Sequence, residues 1–258
     1  MKLLFAVFLF AIIACNSAEK KEALSMSGAY TMLSQSIKGD STDTTYTTLQ
    51  QLKIFTGDQM MYANVNPSDS VSSFGVGTYS ISADTISEHV LFSAGDSLSD
   101  DTLRTYKLLI EKTPKGYKQI IPEIGTPPIK LTEEYESVGD TASTALDGVW
   151  KMVSVTYIKG KDTVSEKRTE YKTYYAGHCM WGVSYADSLK KLHTGIGFGK
   201  FELNGTKLKE SMKASTFADV RGHEFNIDIE FNGADGYTQT TINADGSKNI
   251  EVYQRVKK

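Results

Sequence analysis

The chain repeats itself, and the repeat limits the folds open to it. A shift of about 120 residues aligns its two halves, GAYTMLS (Gly28 to Ser34) with GVWKMVS (Gly148 to Ser154), and FTGDQMM from Phe55 with YAGHCMW from Tyr175. GVGTYSISADTISEH (Gly75 to His89) matches GFGKFELNGTKLKES (Gly197 to Ser211), and YKLLIE from Tyr106 matches FNIDIE from Phe225. Tyr117 and Gln119 then match Tyr237 and Gln239, and KLTEEYESV ending at Val138 matches KNIEVYQRV ending at Val256. The order is kept throughout, so one structural unit has been duplicated. The small polar stretch GDTASTALD, Gly139 to Asp147, reads as the linker between copies. Two domains are expected, residues 25–138 and 148–258, each long enough to bury a core.

Each copy reads as strands. GVWKMVSVTYI alternates and ends in KGKD; GFGKFEL turns at Asn204-Gly205 into KLKESMKAS; HEFNIDIEF turns at NGADG into YTQTTI. Asn-Gly and Asp-Gly between alternating runs are hairpin turns, because both tolerate the positive φ that a tight turn needs. Consecutive hairpins build an antiparallel meander of about eight strands, and such a sheet removes its exposed edges by closing. The predicted fold class is all-β, with two tandem antiparallel up-and-down barrels. An eight-stranded barrel encloses either packed side chains or one small ligand. SYADSLKKLH (Ser184 to His193) is expected to hold a helical turn over one barrel mouth.

The N-terminus sets the compartment. MKLLFAVFLFAIIAC carries Lys2 and then an apolar run from Leu3 to Ala14. A membrane-spanning helix needs roughly 20 such residues; this run suits the core of a secretory signal. Its ending, Ile12-Ile13-Ala14-Cys15, resembles the lipobox of bacterial lipoproteins. The resemblance implies cleavage of residues 1–14, lipidation of Cys15, a polar tether over 15–24, and a membrane partner. Asn16 after the cysteine points to the outer membrane. The one other cysteine, Cys179, lies in the apolar strand HCMWGV and reads as a buried structural residue. A net charge of −3 offers nothing to nucleic acid.

Candidate site residues come from strand faces. Glu88 shares its face with Ile86 and Val90, and Glu210 shares its face with Leu208 and Met212, so both carboxylates point into the barrels. A buried carboxylate must be paired, hydrogen-bonded, protonated or wet. Arg104 and its counterpart His223 fall on the faces of Tyr106 and Leu108, and of Phe225 and Ile227. Tyr79, Tyr106, Phe201 and Phe225 are the expected aromatic lining, with Glu88 or Glu210 as polar anchor. The glycine pairs could suggest a phosphate loop, but a helix start must follow such a loop, and here a strand follows. They read as points of strand bending. Neither metal-ligand spacing nor a nucleophile elbow is present, so no cofactor, metal or catalysis is expected.

Gly148-Val149-Trp150 on a first strand and Arg255 on the last resemble the calycin signature of lipocalin-like barrels. That resemblance implies a tryptophan closing the barrel floor with the arginine lying across it. GTYSISADTISEHV, EEYESV and EVYQRV are similar to the lipocalin-like domains of exported Bacteroidetes proteins. In the first copy Tyr30 replaces the tryptophan and Ser137 the arginine. The expectation is a lipid-anchored envelope protein, non-catalytic, binding a small apolar or amphipathic molecule inside a barrel. The alternative is an interaction module with solid cores, contacting an envelope protein through loops such as Lys159 to Arg168.

Overall fold

A computed structural model describes residues 25–65, 72–94, 104–140 and 142–257. Cys15, the signal segment and the tether lie outside the described residues. The described chain contains strands and turns, without helices. The first copy comprises β1 (Gly28–Gly39), β2 (Thr42–Tyr46), β3 (Gln50–Thr56), β4 (Gln59–Val65), β5 (Ser73–Ser82), β6 (Thr85–Ser93), β7 (Arg104–Lys112), β8 (Gly116–Ile124) and β9 (Ile129–Val138). The second comprises β10 (Gly148–Lys159), β11 (Asp162–Glu166), β12 (Arg168–Tyr175), β13 (His178–Ala186), β14 (Leu192–Asn204), β15 (Lys207–Ser215), β16 (Glu224–Phe231), β17 (Gly236–Ile242) and β18 (Lys248–Arg255).

Both copies close, β9 pairing back onto β1 and β18 onto β10. Nine segments make eight barrel positions, because β2 and β3 lie end to end along one edge of β1. Gly28 to Thr31 of β1 pair with Phe55 to Leu52 of β3, and Gln35 to Gly39 pair with Tyr46 to Thr42 of β2. β11 and β12 share the edge of β10 in the same way. The fold is two closed eight-stranded antiparallel barrels in tandem, as the hairpin pattern predicted.

The repeated glycines explain themselves at this level. Pairing between β5 and β6 slips at Val76/Gly77, and that between β14 and β15 slips at Phe198/Gly199. A Cβ on Gly77 would collide with the carbonyl oxygen of His89, and one on Gly199 with that of Ser211. The preceding glycines serve a different neighbour. A Cβ on Gly75 would strike the Tyr62 ring, and one on Gly197 the Trp181 ring. Each pair therefore makes one bulge and gives one inward aromatic ring room to lie flat on the wall.

SYADSLKKLH is a turn rather than a helical segment. Asp187 accepts hydrogen bonds from the backbone N–H of Leu189 and Lys191, both 2.9 Å, and pairs with His193 Nε2 at 2.8 Å. An aspartate that captures nearby N–H groups closes a turn and competes with a helix for the same donors.

Outside the barrels, the outward faces of β3 to β5 pack against those of β12 to β14. Leu52, Ile54, Met61, Ala63, Phe74 and Val76 join Tyr171, Met180, Ile196 and Phe198 in one buried cluster. Phe92 stacks at a tilt on Tyr171, centroids 5.5 Å apart. The Phe74 ring occupies the space above Gly182 that a side chain there would fill. The two barrels are thus fused back to back, and each has a second apolar surface besides its interior.

Candidate functional site

The hairpin turns Thr56–Gln59 and Tyr175–His178 are equivalent. Counting from them makes Lys53 and Lys172 counterparts, both inward and both buried. The sequence match of Phe55 with Tyr175 is one residue off this register. Because strand side chains alternate, that slip hides the shared lysine.

In the first barrel Lys53 Nζ lies 2.7 Å from Glu88 Oε1 and 2.7 Å from Gln119 Oε1. Gln119 donates to Glu133 Oε2 at 2.9 Å; Tyr135 donates to the same oxygen at 2.8 Å and accepts from Gln51 Nε2 at 2.6 Å. Gln35 donates to Glu133 Oε1 at 3.0 Å. The second barrel repeats the layout with more charge. Lys172 reaches Glu210 at 3.4 Å and Gln239 at 3.3 Å, and Tyr174 donates to Glu210 at 2.5 Å. Gln239 donates to Glu251 at 2.5 Å. Arg168 Nη2 bridges Glu251 at 2.6 Å and Glu170 at 3.3 Å. The Tyr253 hydroxyl sits 2.7 Å from Glu170 and 2.8 Å from Glu251. Buried charges survive where partners and hydrogen bonds compensate the lost water, and both beds meet that condition.

The electrostatics follow from burial and neighbours. Burial, followed by the charge of Glu251, pushes Glu170 up to about 7. Burial also acts to raise Glu251, but Lys172 and Arg168 outweigh it and hold that group below the ordinary carboxylate value. Burial disfavours the charged form of Lys172, yet Glu210, Glu251 and Glu170 keep its pKa raised. Burial and then Glu88 push Tyr62 up to about 12. Burial, with Glu210 next, raises the Cys179 thiol well above its ordinary value. That cysteine is protonated and packed in the core.

A cavity stands on each bed. In the second barrel it measures about 390 Å³, with Trp181, Val183, Phe217, Val220 and Phe225 as apolar walls over Lys172, Glu170, Glu210 and Glu251. In the first it measures about 230 Å³ and is lined by Tyr62, Tyr106 and Leu108 over Lys53, Glu88, Gln119 and Glu133. The cavities thus bring together four of the residues singled out from sequence: Glu88, Tyr106, Glu210 and Phe225.

The other four lie elsewhere. Tyr79 packs on Phe55 at 4.9 Å and donates to Gly57 O at 2.9 Å. Phe201 packs on Tyr174 at 5.1 Å within the closed core. Both face inward but sit beside the residues under the bed, so neither meets the cavity. Arg104 pairs with Val90 in the register and donates to Ser93 Oγ at 2.8 Å, away from Glu88. His223 precedes β16, is exposed, and lies against the Phe225 ring with centroids 5.5 Å apart. Lys53, Lys172, Gln51, Glu170, Glu133, Glu251 and Arg168 were not singled out from sequence. The available signal was a basic residue at the middle of an apolar strand in both copies, flanked two residues upstream by Gln51 or Glu170.

The floor of the second barrel is built from Trp150 and Arg255. Trp150 is fully buried and donates to Leu146 O at 2.7 Å. The Arg255 guanidinium lies 4.0 Å from the indole centroid and donates to Asp147 O at 2.6 Å and Ala145 O at 3.2 Å. In the first barrel Tyr30 meets Tyr117 edge-on at 5.0 Å, and Met26 occupies the place of Leu146. Among the described residues, no three His, Cys, Asp or Glu side chains converge on a metal position.

No known protein family matches the chain, and no curated protein matches it either. Among solved structures it is similar to a protein of unknown function from the DUF3598 family of Nostoc punctiforme. The two share 11% identity over 89% of this chain and 96% of that one, with a TM-score of 0.26.

Proposed function

We propose that this chain is a lipid-anchored protein of the bacterial envelope, without catalysis, whose second barrel holds a small amphipathic molecule. The observation that carries this reading is the cavity of about 390 Å³, apolar on its walls and charged on its bed. Ligand sites commonly have that size and that mixture, apolar area supplying affinity and a few polar groups fixing orientation. The smaller cavity of the first barrel, about 230 Å³, suits a supporting role. Cys15 supplies the anchor, and the outer membrane is the proposed location.

Native mass spectrometry on protein purified from its own membranes tests this reading. It should return the chain cut before Cys15, with acyl mass on that cysteine and one small non-covalent ligand released on collisional heating. An acylated chain that is always empty would sink the binding role. An uncut, unacylated chain would sink the anchor.

A further inference from the structure

The second barrel's bed holds three carboxylates, Glu170, Glu210 and Glu251, against two cations, Arg168 and Lys172, and all five line the cavity. A buried carboxylate in excess of the cations needs neutral hydrogen-bond donors, as Glu133 of the first barrel has in Gln35, Gln119 and Tyr135, or else a proton or a bound cation. The hydrogen-bond geometry shows where the proton sits. Tyr253 Oη contacts a carboxylate oxygen on each side, Glu170 at 2.7 Å and Glu251 at 2.8 Å. A phenol has one hydrogen and can donate to one of them. The other contact needs a hydrogen from the carboxyl group itself. The first barrel identifies which. There Gln51, the counterpart of Glu170, donates its amide hydrogen to Tyr135, and Tyr135 donates to Glu133. Glu170 therefore stands where the other copy has a permanent donor, and it carries the proton.

The groups facing Glu170 are few. Arg168 and Lys172 flank it on β12, and Glu251 and Tyr253 face it from β18. Tyr157 of β10, Glu166 of β11 and Glu210 of β15 line the same cavity, while β13 contributes Trp181 and Val183. Burial and the charge of Glu251 favour the protonated form of Glu170, against Arg168 and Lys172.

Resting on the ligand-binding reading above, we propose that the second barrel's cavity takes an amphipathic organic amine, whose ammonium replaces the proton on Glu170. The exchange balances: the protonated carboxyl releases H⁺ to solvent, and the carboxylate left behind pairs with R–NH₃⁺. The alkyl part lies along Trp181, Phe217 and Phe225. The first barrel has no proton to exchange at Gln51.

Calorimetry with three probes of one chain length tests the assignment: n-octylammonium, octanol and octanoate, each titrated into the full mature protein in two buffers of different ionisation heat. Octylammonium should bind tightest and release close to one proton per ligand at pH 6. Its affinity should rise about tenfold from pH 6 to pH 8 as the release disappears. Glu170→Gln, which copies the first barrel, should lose the proton release and weaken octylammonium while leaving octanol unchanged. If that variant fails to fold, the wild-type proton count and the order of the three probes still decide. Octanoate or octanol binding as tightly as octylammonium would overturn the amine while leaving a ligand cavity in place. Binding of none of the three would overturn the cavity reading itself.

Discussion

At the scale of the residue, Glu170 and Gln51 are a comparison the molecule makes within itself. They occupy equivalent positions beneath equivalent tyrosines, Tyr253 and Tyr135, yet one can ionise and the other cannot. Glu170 is pushed from its ordinary 4.5 up to about 7, so between those values the folded chain keeps a proton that the unfolded chain has released. Stability from this group is fully present below about pH 4.5 and is lost as pH rises to about 7, by up to about 1.4 kcal/mol per pH unit. Urea melts across that window should show the decline in wild type and a flatter profile for Glu170→Gln. An equal slope in both proteins would remove Glu170 as its source. The two glutamates Glu88 and Glu210 were legible as buried acids because each follows strict alternation along one strand. Their lysine partners were not. Lys53 and Lys172 lie on other strands, and aligning Phe55 with Tyr175 sets Lys53 against Thr173, on the opposite face. Pairing across a barrel depends on register among strands far apart in sequence, and period-two alternation within one strand carries no information about it.

At the scale of the element, the glycine pair is the device that shapes each wall. Gly77 and Gly199 permit the bulge, and Gly75 and Gly197 let Tyr62 and Trp181 lie against the neighbouring strand. Gly77→Ala should cost about 1–3 kcal/mol, because the new methyl meets backbone that cannot turn aside. Guanidinium denaturation of the variant measures it, and a cost near zero would mean the bulge can be remodelled freely. The hairpins themselves were readable, since Asn204-Gly205 and the other turn glycines announce positive φ directly. The splitting of one barrel position into β2 and β3, or β11 and β12, was not. It depends on β1 and β10 being long enough to hold two partners on one edge.

At the scale of the whole molecule, back-to-back fusion makes the barrels one cooperative body. Phe74 of the first barrel fills the space over Gly182 of the second, and Phe92 meets Tyr171. Phe74→Ala should cost about 3–5 kcal/mol, as other large-to-small changes in cores do. Wild type should unfold in a single transition followed equally by tryptophan fluorescence and circular dichroism. The variant should lower its midpoint, and two separated transitions in wild type would contradict a shared core.

The same interface constrains how the copies could change after duplication. Phe74 over Gly182 has as its repeat counterparts Ile196 and Ala63, and Phe92 on Tyr171 has Ala214 and Leu52; apart from Gly182 all belong to the one buried cluster. The equivalent contacts differ in bulk, most of all Phe92 on Tyr171 against Ala214 with Leu52. A chain made of two first copies would instead meet itself through Phe74 on Ala63 and Phe92 on Leu52, and one made of two second copies through Ile196 on Gly182 and Ala214 on Tyr171. The halves began as interchangeable parts and have become a matched left and right. That matching leaves the barrel interiors as the place where the two copies remain free to specialise.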